Sequence, residues 1–413
     1  MKKLLISLTS AAFAVISTSS QATLILYEPF NYTPGTQLGG SGTSPLGYVA
    51  PNGQQWITRS PASGGTYDPA KDVVITNGSL SYPGLAPSKG NAVRYGSATG
   101  GTALYTDAIA LPSVVTEGSL YWSAIVWFHS AIPTAAAART SYAALSAETA
   151  NPATDAGFGA LTASGTGSIP LPASAWIRYS GTTGYHLGAG KQNSDGLGTT
   201  ASAPAWQAAG APAANQQGNT TGFGQDWATI ESNPNQPYFI VLKYTFDPAS
   251  PGNTDKVSMW VNPVASTLGF DDGEALAGAS GGSYYSALNA YVTGNLDTPQ
   301  IQSFMLIAVA QSSTRTDKTI DVSVDELRIG TTWADVTPVV PQILSISGAG
   351  TTSVTVTWSG VLLGTNYVLQ YNTNLSTTNW SDLAAVTATG PTASQTDNPP
   401  SGDAARFYRV LRQ

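Results

Sequence analysis

The stretch Ile320 to Pro338, IDVSVDELRIGTTWADVTP, constrains the fold of this chain more than any other. Ile320, Val322 and Val324 alternate with Asp321 and Ser323, the two-residue period of a strand with one buried face. At Asp325 and Glu326 the phase slips, and Leu327 and Ile329 carry the apolar face onward. A strand makes that change through a β-bulge or by being buried on both sides. A bulge here would aim one carboxylate at backbone N–H groups, so the acidic pair reads as a structural hydrogen-bonding device. The sequence Thr337-Pro338-Val339-Val340-Pro341 disfavours ladder pairing and predicts a linker over 338–342.

Strand signals continue upstream in Leu120 to Phe128, Tyr238 to Phe246, Lys256 to Val261 and Phe304 to Ala310. The first is apolar on both faces, as in a central strand that is covered on both sides or carries an aromatic face that meets a ligand. With 43 Gly and 26 Pro against 10% charged residues, short strands joined by many turns are favoured over helices. Between Ala131 and Gln236 the chain is rich in Ala, Gly, Ser and Thr, with islands at Gly157 to Leu161, Trp176 to Ser180 and Tyr185 to Gly190, which predicts long loops around short strands. Within it, Ala201 to Gly224 reads as loop or disordered chain. Beyond the linker, Ile343 to Ser347, Ser353 to Ser359, Tyr367 to Asn372 and Phe407 to Leu411 predict a small antiparallel sandwich, with Trp358 and Tyr367 in its core.

Certain blocks carry a resemblance. YEPFNY near the start, YFIVLKYTF with DKVSMWVNP in the middle, and VDELRIGTTWADVTP resemble bacterial secreted proteins of the concanavalin A-like or laminin-G-like jelly-roll superfamily. The tail, with TVTWSG, NYVLQYNTNL, NWSDL and RFYRV, is similar to a fibronectin type III or immunoglobulin-like module. The resemblance implies an all-β chain in which a large jelly-roll sandwich of two antiparallel sheets, with a concave face and ligand-contacting rim loops, precedes a small sandwich. The expected organisation is a signal peptide over 1–22, the large domain over 23–337, the linker over 338–342 and the small domain over 343–413.

The signal reading rests on Lys2-Lys3, the apolar run Leu4 to Ile16 and the small-residue site Ser20-Gln21-Ala22. That run is shorter than the ~20 apolar residues that span a bilayer, so export is expected without a transmembrane segment. No cysteine is present, which excludes disulfides and thiolate chemistry. A net charge of -7 with scattered basic residues argues against nucleic-acid partners.

Catalytic patterns are sparse. Jelly-roll glucanases place carboxylates on one strand as Glu-x-Asp-x-Glu, a spacing that Glu28, Glu117, Glu148, Glu231, Glu274 and Glu326 do not provide. His129 and His186 are too few for a multi-histidine zinc site and read as loop-edge residues. Tyr185-His186 with Arg178 is a combination that a jelly-roll polysaccharide lyase could use. Calcium candidates are Asp271, Asp272 and Glu274, and the loop acids Asp247 and Asp255 with Asn253. Trp206 and Trp227 lie in polar, Gly-rich surroundings, and Trp260 points opposite to Val257, Met259 and Val261. These three are the expected aromatic platforms for a ligand. The leading expectation is a secreted, non-catalytic protein binding a glycan or an extracellular matrix component. The alternatives are an adhesive exoprotein acting through protein contacts and a polysaccharide-degrading hydrolase or lyase.

Overall fold

The computed structural model describes residues 24–40, 46–59, 69, 72–96, 106–129, 139–146, 171–179, 184–192, 230–231, 236–247, 255–269, 273–275, 283–287, 300–307, 321–359, 366–389, 392–400 and 405–412. The strands, in chain order, are β1 (Leu24–Glu28), β2 (Leu46–Val49), β3 (Gln55–Arg59), β4 (Val74–Thr76), β5 (Ala92–Tyr95), β6 (Thr106–Val115), β7 (Ser119–Phe128), β8 (Arg139–Ser146), β9 (Leu171–Tyr179), β10 (Gly184–Gln192) and β11 (Ile230–Glu231). They continue as β12 (Tyr238–Thr245), β13 (Lys256–Val261), β14 (Ser283–Ala287), β15 (Ile301–Ile307), β16 (Val322–Gly330), β17 (Gln342–Ser347), β18 (Val354–Ser359), β19 (Asn366–Asn372), β20 (Ser381–Thr387), β21 (Thr392–Asp397) and β22 (Phe407–Arg412).

The fold is an all-β jelly-roll sandwich followed by a smaller pair of sheets. One eight-stranded sheet runs β14-β13-β12-β7-β16-β5-β4 with β1 added on β16, and the other runs β11-β10-β9-β8-β15-β6-β3-β2. Alternation explains how they meet. Trp122, Leu242, Met259, Val324 and Leu327 from the first sheet pack with Trp56, Ile109, Ala175, Leu187 and Phe304 from the second in one continuous core. β7 was read as covered on both faces or carrying an aromatic face for a ligand, and it is covered: Leu120, Trp122 and Val126 enter that core, while Tyr121 and Ile125 enter a second cluster outside the first sheet.

The phase slip in β16 is a bulge. Its pairing with β7 shifts register between Asp325 and Arg328, and Glu326 adopts φ 53°, the left-handed region in which a non-glycine residue is uncommon. The extra residue lets Val322, Val324, Leu327 and Ile329 all reach the same core. Both acids of the bulge are used locally. The Asp325 carboxylate accepts from the Leu80 and Glu326 amides at 2.7 Å each, and Glu326 Oε1 accepts from the Lys89 amide at 2.8 Å and the Tyr27 hydroxyl at 3.0 Å.

Two expectations from the sequence are corrected here. The stretch read as long loops around short strands contains β8, β9 and β10, strands of eight, nine and nine residues that pair side by side in the second sheet; the islands at 176–180 and 185–190 overlap β9 and β10, but these strands are longer than read and β8 was not read at all. Small residues mask them in the sequence, because Ala143, Ala173 and Ala175 fill core positions where larger side chains would signal a strand. The segment read as a free linker is also partly docked. The Pro338 carbonyl accepts from the Ala86 amide at 2.9 Å, and Val339 packs against the outer cluster of the first sheet.

The last six strands form two three-stranded sheets, β17-β18-β21 and β20-β19-β22, closed around Val354, Val356, Trp358, Tyr367 and Leu369. Trp358 and Tyr367 are buried there, as their place in alternating strands implied. Among the described residues no helix is long and apolar enough to cross a membrane. Residues 1–22, read as a signal, lie outside the described residues, as do Trp206, Trp227, Asp271, Asp272, Asn253 and the stretches 157–161 and 201–224.

Candidate functional site

The outward face of the first sheet is closed over. A short helix, α1 (Trp333–Val336), begins with a capping box in which the Thr332 side chain accepts from the Asp335 amide and the Asp335 side chain accepts from the Thr332 amide. It lays Trp333 edge-on against Trp260 at 5.1 Å between ring centroids, and the Trp333 indole N–H donates to the Thr267 carbonyl at 2.8 Å. Trp260 is 0% exposed. The expectation that Trp260 is a surface platform is therefore corrected: it faces away from the inter-sheet core, as the alternation required, but Leu268 and α1 cover it.

Glu274 lies on the same face. It accepts from the Tyr121 hydroxyl and from Lys243 Nζ at 2.9 and 3.0 Å, so this calcium candidate is occupied by a cation of the protein itself. Asp255 is likewise engaged, with the Tyr244 hydroxyl at 2.5 Å and the Asp247 amide at 2.7 Å. Glu28 accepts from the Phe30 amide, the Tyr32 hydroxyl and the Trp56 indole N–H at 2.8, 2.6 and 2.9 Å. Burial still pushes its pKa up, against those donors. Asp325 is pushed up to about 8 by burial despite two amide donors. These acids sit in the fold as ties, and none of them faces a cleft.

His129 has a partner that spacing did not reveal. Its Nε2 is 2.7 Å from the Ser323 hydroxyl, 194 residues away, and its ring lies 4.7 Å from that of Trp127. Beside it, Arg94 binds Asp321 through two bonds of 2.7 Å. Burial, and then the Arg94 charge, lower the histidine pKa, so the ring is neutral at neutral pH. Ser323 is 4% exposed, which makes the pair a poor place for a substrate to reach.

The second sheet differs. Across β8, β9 and β10, Arg139 stands directly opposite Arg178, and Arg178 directly opposite His186. One step along, Ser141, Trp176 and Gly188 form the next row of the same phase. Ala173, Ala175 and Leu187, of the other phase, belong to the inter-sheet core. Arg139, Arg178 and His186 thus hold register positions of the opposite phase from Ala175 and Leu187. Tyr185 does not join it, because it shares the phase of Leu187 and pairs with Tyr179. Sequence reading grouped Arg178 with Tyr185 and His186 and missed Arg139. Only the register of β8 against β9 brings Arg139 into line.

No family model matches the chain, and no curated protein does. Solved structures do show similarity. An endo-1,3-beta-glucanase from Streptomyces sioyaensis matches at 9% identity and a TM-score of 0.36, covering 77% of this chain and 99% of its own. The alginate lyase Aly36B matches at 11% and 0.33, covering 74% and 95%. The alginate lyase vAL-1 from Chlorella virus matches at 9% and 0.31, covering 66% and 92%. These similarities concern the sandwich architecture. They also correct the expectation of a non-catalytic glycan- or matrix-binding protein, since enzymes that act on polysaccharides share this architecture, and a jelly roll is no ground for placing the chain among non-catalytic binders.

Proposed function

We propose that the chain is a polysaccharide-cleaving enzyme that acts on an acidic, uronate-bearing polymer by β-elimination across β8, β9 and β10. The single observation behind this reading is the row Arg139, Arg178, His186. Like charges directly opposite on neighbouring strands repel, so an arginine pair in that register is unfavourable unless an anion lies over it. A uronate carboxylate is such an anion, and guanidinium groups bind carboxylates through paired N–H donors.

In this reading the two arginines neutralise the carboxylate at C6 and so acidify the neighbouring C5–H. His186 takes that proton, the C4–O bond breaks, a C4=C5 double bond forms, and the departing glycosidic oxygen is protonated. Trp176 supplies a flat apolar surface for a sugar ring, and Gly188 opposite leaves room for one. Hydrolysis of a neutral glucan is disfavoured, because it needs two carboxyl groups roughly 5 to 9 Å apart across a substrate cleft. The acids traced above are ties within the fold. An exported enzyme, as residues 1–22 suggest, meets such polymers outside the cell, with the small C-terminal sandwich as an appended fibronectin-like spacer.

The purified full chain is to be incubated with alginate, pectate and hyaluronan and followed by the ultraviolet absorbance of the unsaturated product. Product from at least one polymer, lost in Arg178→Ala, supports the reading. A chain that reduces the viscosity of a neutral β-glucan and forms no unsaturated product contradicts it.

A further inference from the structure

A second group of acids is handled differently from the ties described above. Asp107, in β6, lies directly opposite Thr58 in β3, in the phase that Ile109 and Trp56 continue into the inter-sheet core. Asp72 enters from the turn before β4, and Gly39 and Gly40 pass beside them from the loop between β1 and β2. Asp107 is 0% exposed, Asp72 and Thr58 2% each. Neither Asp107 oxygen makes a well-formed hydrogen bond, although the Thr58 hydroxyl, the Asp72 carboxyl and the Gly39 amide adjoin it. Every other buried acid discussed here has donors on its oxygens, so Asp107 stands apart.

Two adjacent carboxylates in an apolar interior cannot both remain ionised without a counter-charge. A shared proton would cancel only one of the two charges. A cation bridging the group would serve both. The available donors are all oxygens: two carboxylates, the Thr58 hydroxyl and the Gly40 carbonyl. Thr58 Oγ1 lies 3.5 Å from Asp72 Oδ2 and 3.2 Å from the Gly40 oxygen. Such separations are edge lengths of a shell with metal–oxygen distances of about 2.3 to 2.6 Å, the range of calcium. The hard donor set and two negative charges also suit a divalent hard cation. Gly39 is part of the same arrangement, because a Cβ there would stand 2.6 Å from Asp107 Oδ1 and 2.5 Å from Thr58 Oγ1.

We propose that Asp107, Asp72, the Thr58 hydroxyl and the Gly40 carbonyl form a calcium site that clamps the loop after β1 and the turn before β4 onto the edge of the second sheet. This site is separate from Asp271, Asp272 and Glu274 and from the row on β8 to β10. It stands or falls independently of the enzymatic reading.

The test uses the full chain stripped with a chelator and titrated with calcium alone. Saturating calcium is expected to raise Tm by about 5 °C. Terbium is expected to bind in its place and luminesce when tryptophan is excited, since Trp56 lies two residues from Thr58 on the same strand face. Asp107→Asn keeps the shape and removes a charge, and should abolish both responses. Thr58→Val serves as the second variant, and should weaken terbium binding about tenfold without a change of charge. A wild-type chain that ignores both metals overturns the proposal. Metal responses that persist unchanged in both variants overturn it as well.

Discussion

The two large sheets share a core, and each buries a further cluster in its other phase, around Trp260 on the first and around Ile57, Ala108 and Met305 on the second. On the first, bulky side chains are covered and polar groups are paired: Trp260 lies under Trp333, Tyr121 and Lys243 hold Glu274, and Asp325 holds two amides. On the second, β8 to β10 align two arginines and a histidine in one row, beside a tryptophan flanked by serine and glycine. The difference teaches that conspicuous aromatics and acids are poor guides to function in this chain. The first sheet spends them on its own stability, and the proposed chemistry is assigned to strands built on small residues.

Substitutions can break that comparison, or sharpen it. The largest effect is expected at Trp260. Trp260→Ala removes a fully buried indole and should cost about 3 to 5 kcal/mol, read as a lower midpoint of chemical denaturation. A loss below about 1 kcal/mol would mean the outer cluster is not packed as described. Arg178→Ala is the mirror case. It should leave the denaturation midpoint almost unchanged, or raise it by relieving Arg139, and lower the rate of elimination by about 100- to 1000-fold.

Asp325 comes next. Asp325→Ala strands the Leu80 and Glu326 amides and should cost about 3 kcal/mol by the same denaturation measurement. Its pH behaviour follows from burial. With a folded pKa of about 8 and an unfolded value near 3.9, the folded state holds a proton that the unfolded state has released. This contribution to stability is fully present below about pH 4 and is lost as pH rises to about 8. Denaturation midpoints should fall over that interval, and Asp325→Asn should flatten the fall. Thr332→Ala has the smallest effect. It removes the cap of α1 and should cost about 1 kcal/mol, with a small increase in tryptophan exposure by quenching as Trp333 loosens from Trp260.

Much of the fold was legible in the sequence because strand alternation is a local signal. The slip at Asp325 and Glu326 announced the bulge, and Val354, Val356 and Trp358 announced the small core. β8 was not legible, and β9 and β10 showed only as short islands, since alanine at core positions leaves no contrast with the serines and glycines around it. The site was hidden for a different reason. Arg178 and His186 lie eight residues apart and were grouped, but Arg139 joins them only through pairing with a strand some way along the chain, and Ser323 meets His129 in the same way. Trp260 was misread because alternation tells which side of a sheet a residue takes, and says nothing of what later covers that side.

The most direct measurement is the elimination assay on uronate polymers with wild type, Arg178→Ala and Trp260→Phe compared at equal folded concentration. Unsaturated product from wild type and Trp260→Phe, with none above background from Arg178→Ala, is the predicted result. Equal product from all three, or none from the wild type on any uronate polymer, would contradict the assignment of function to the second sheet.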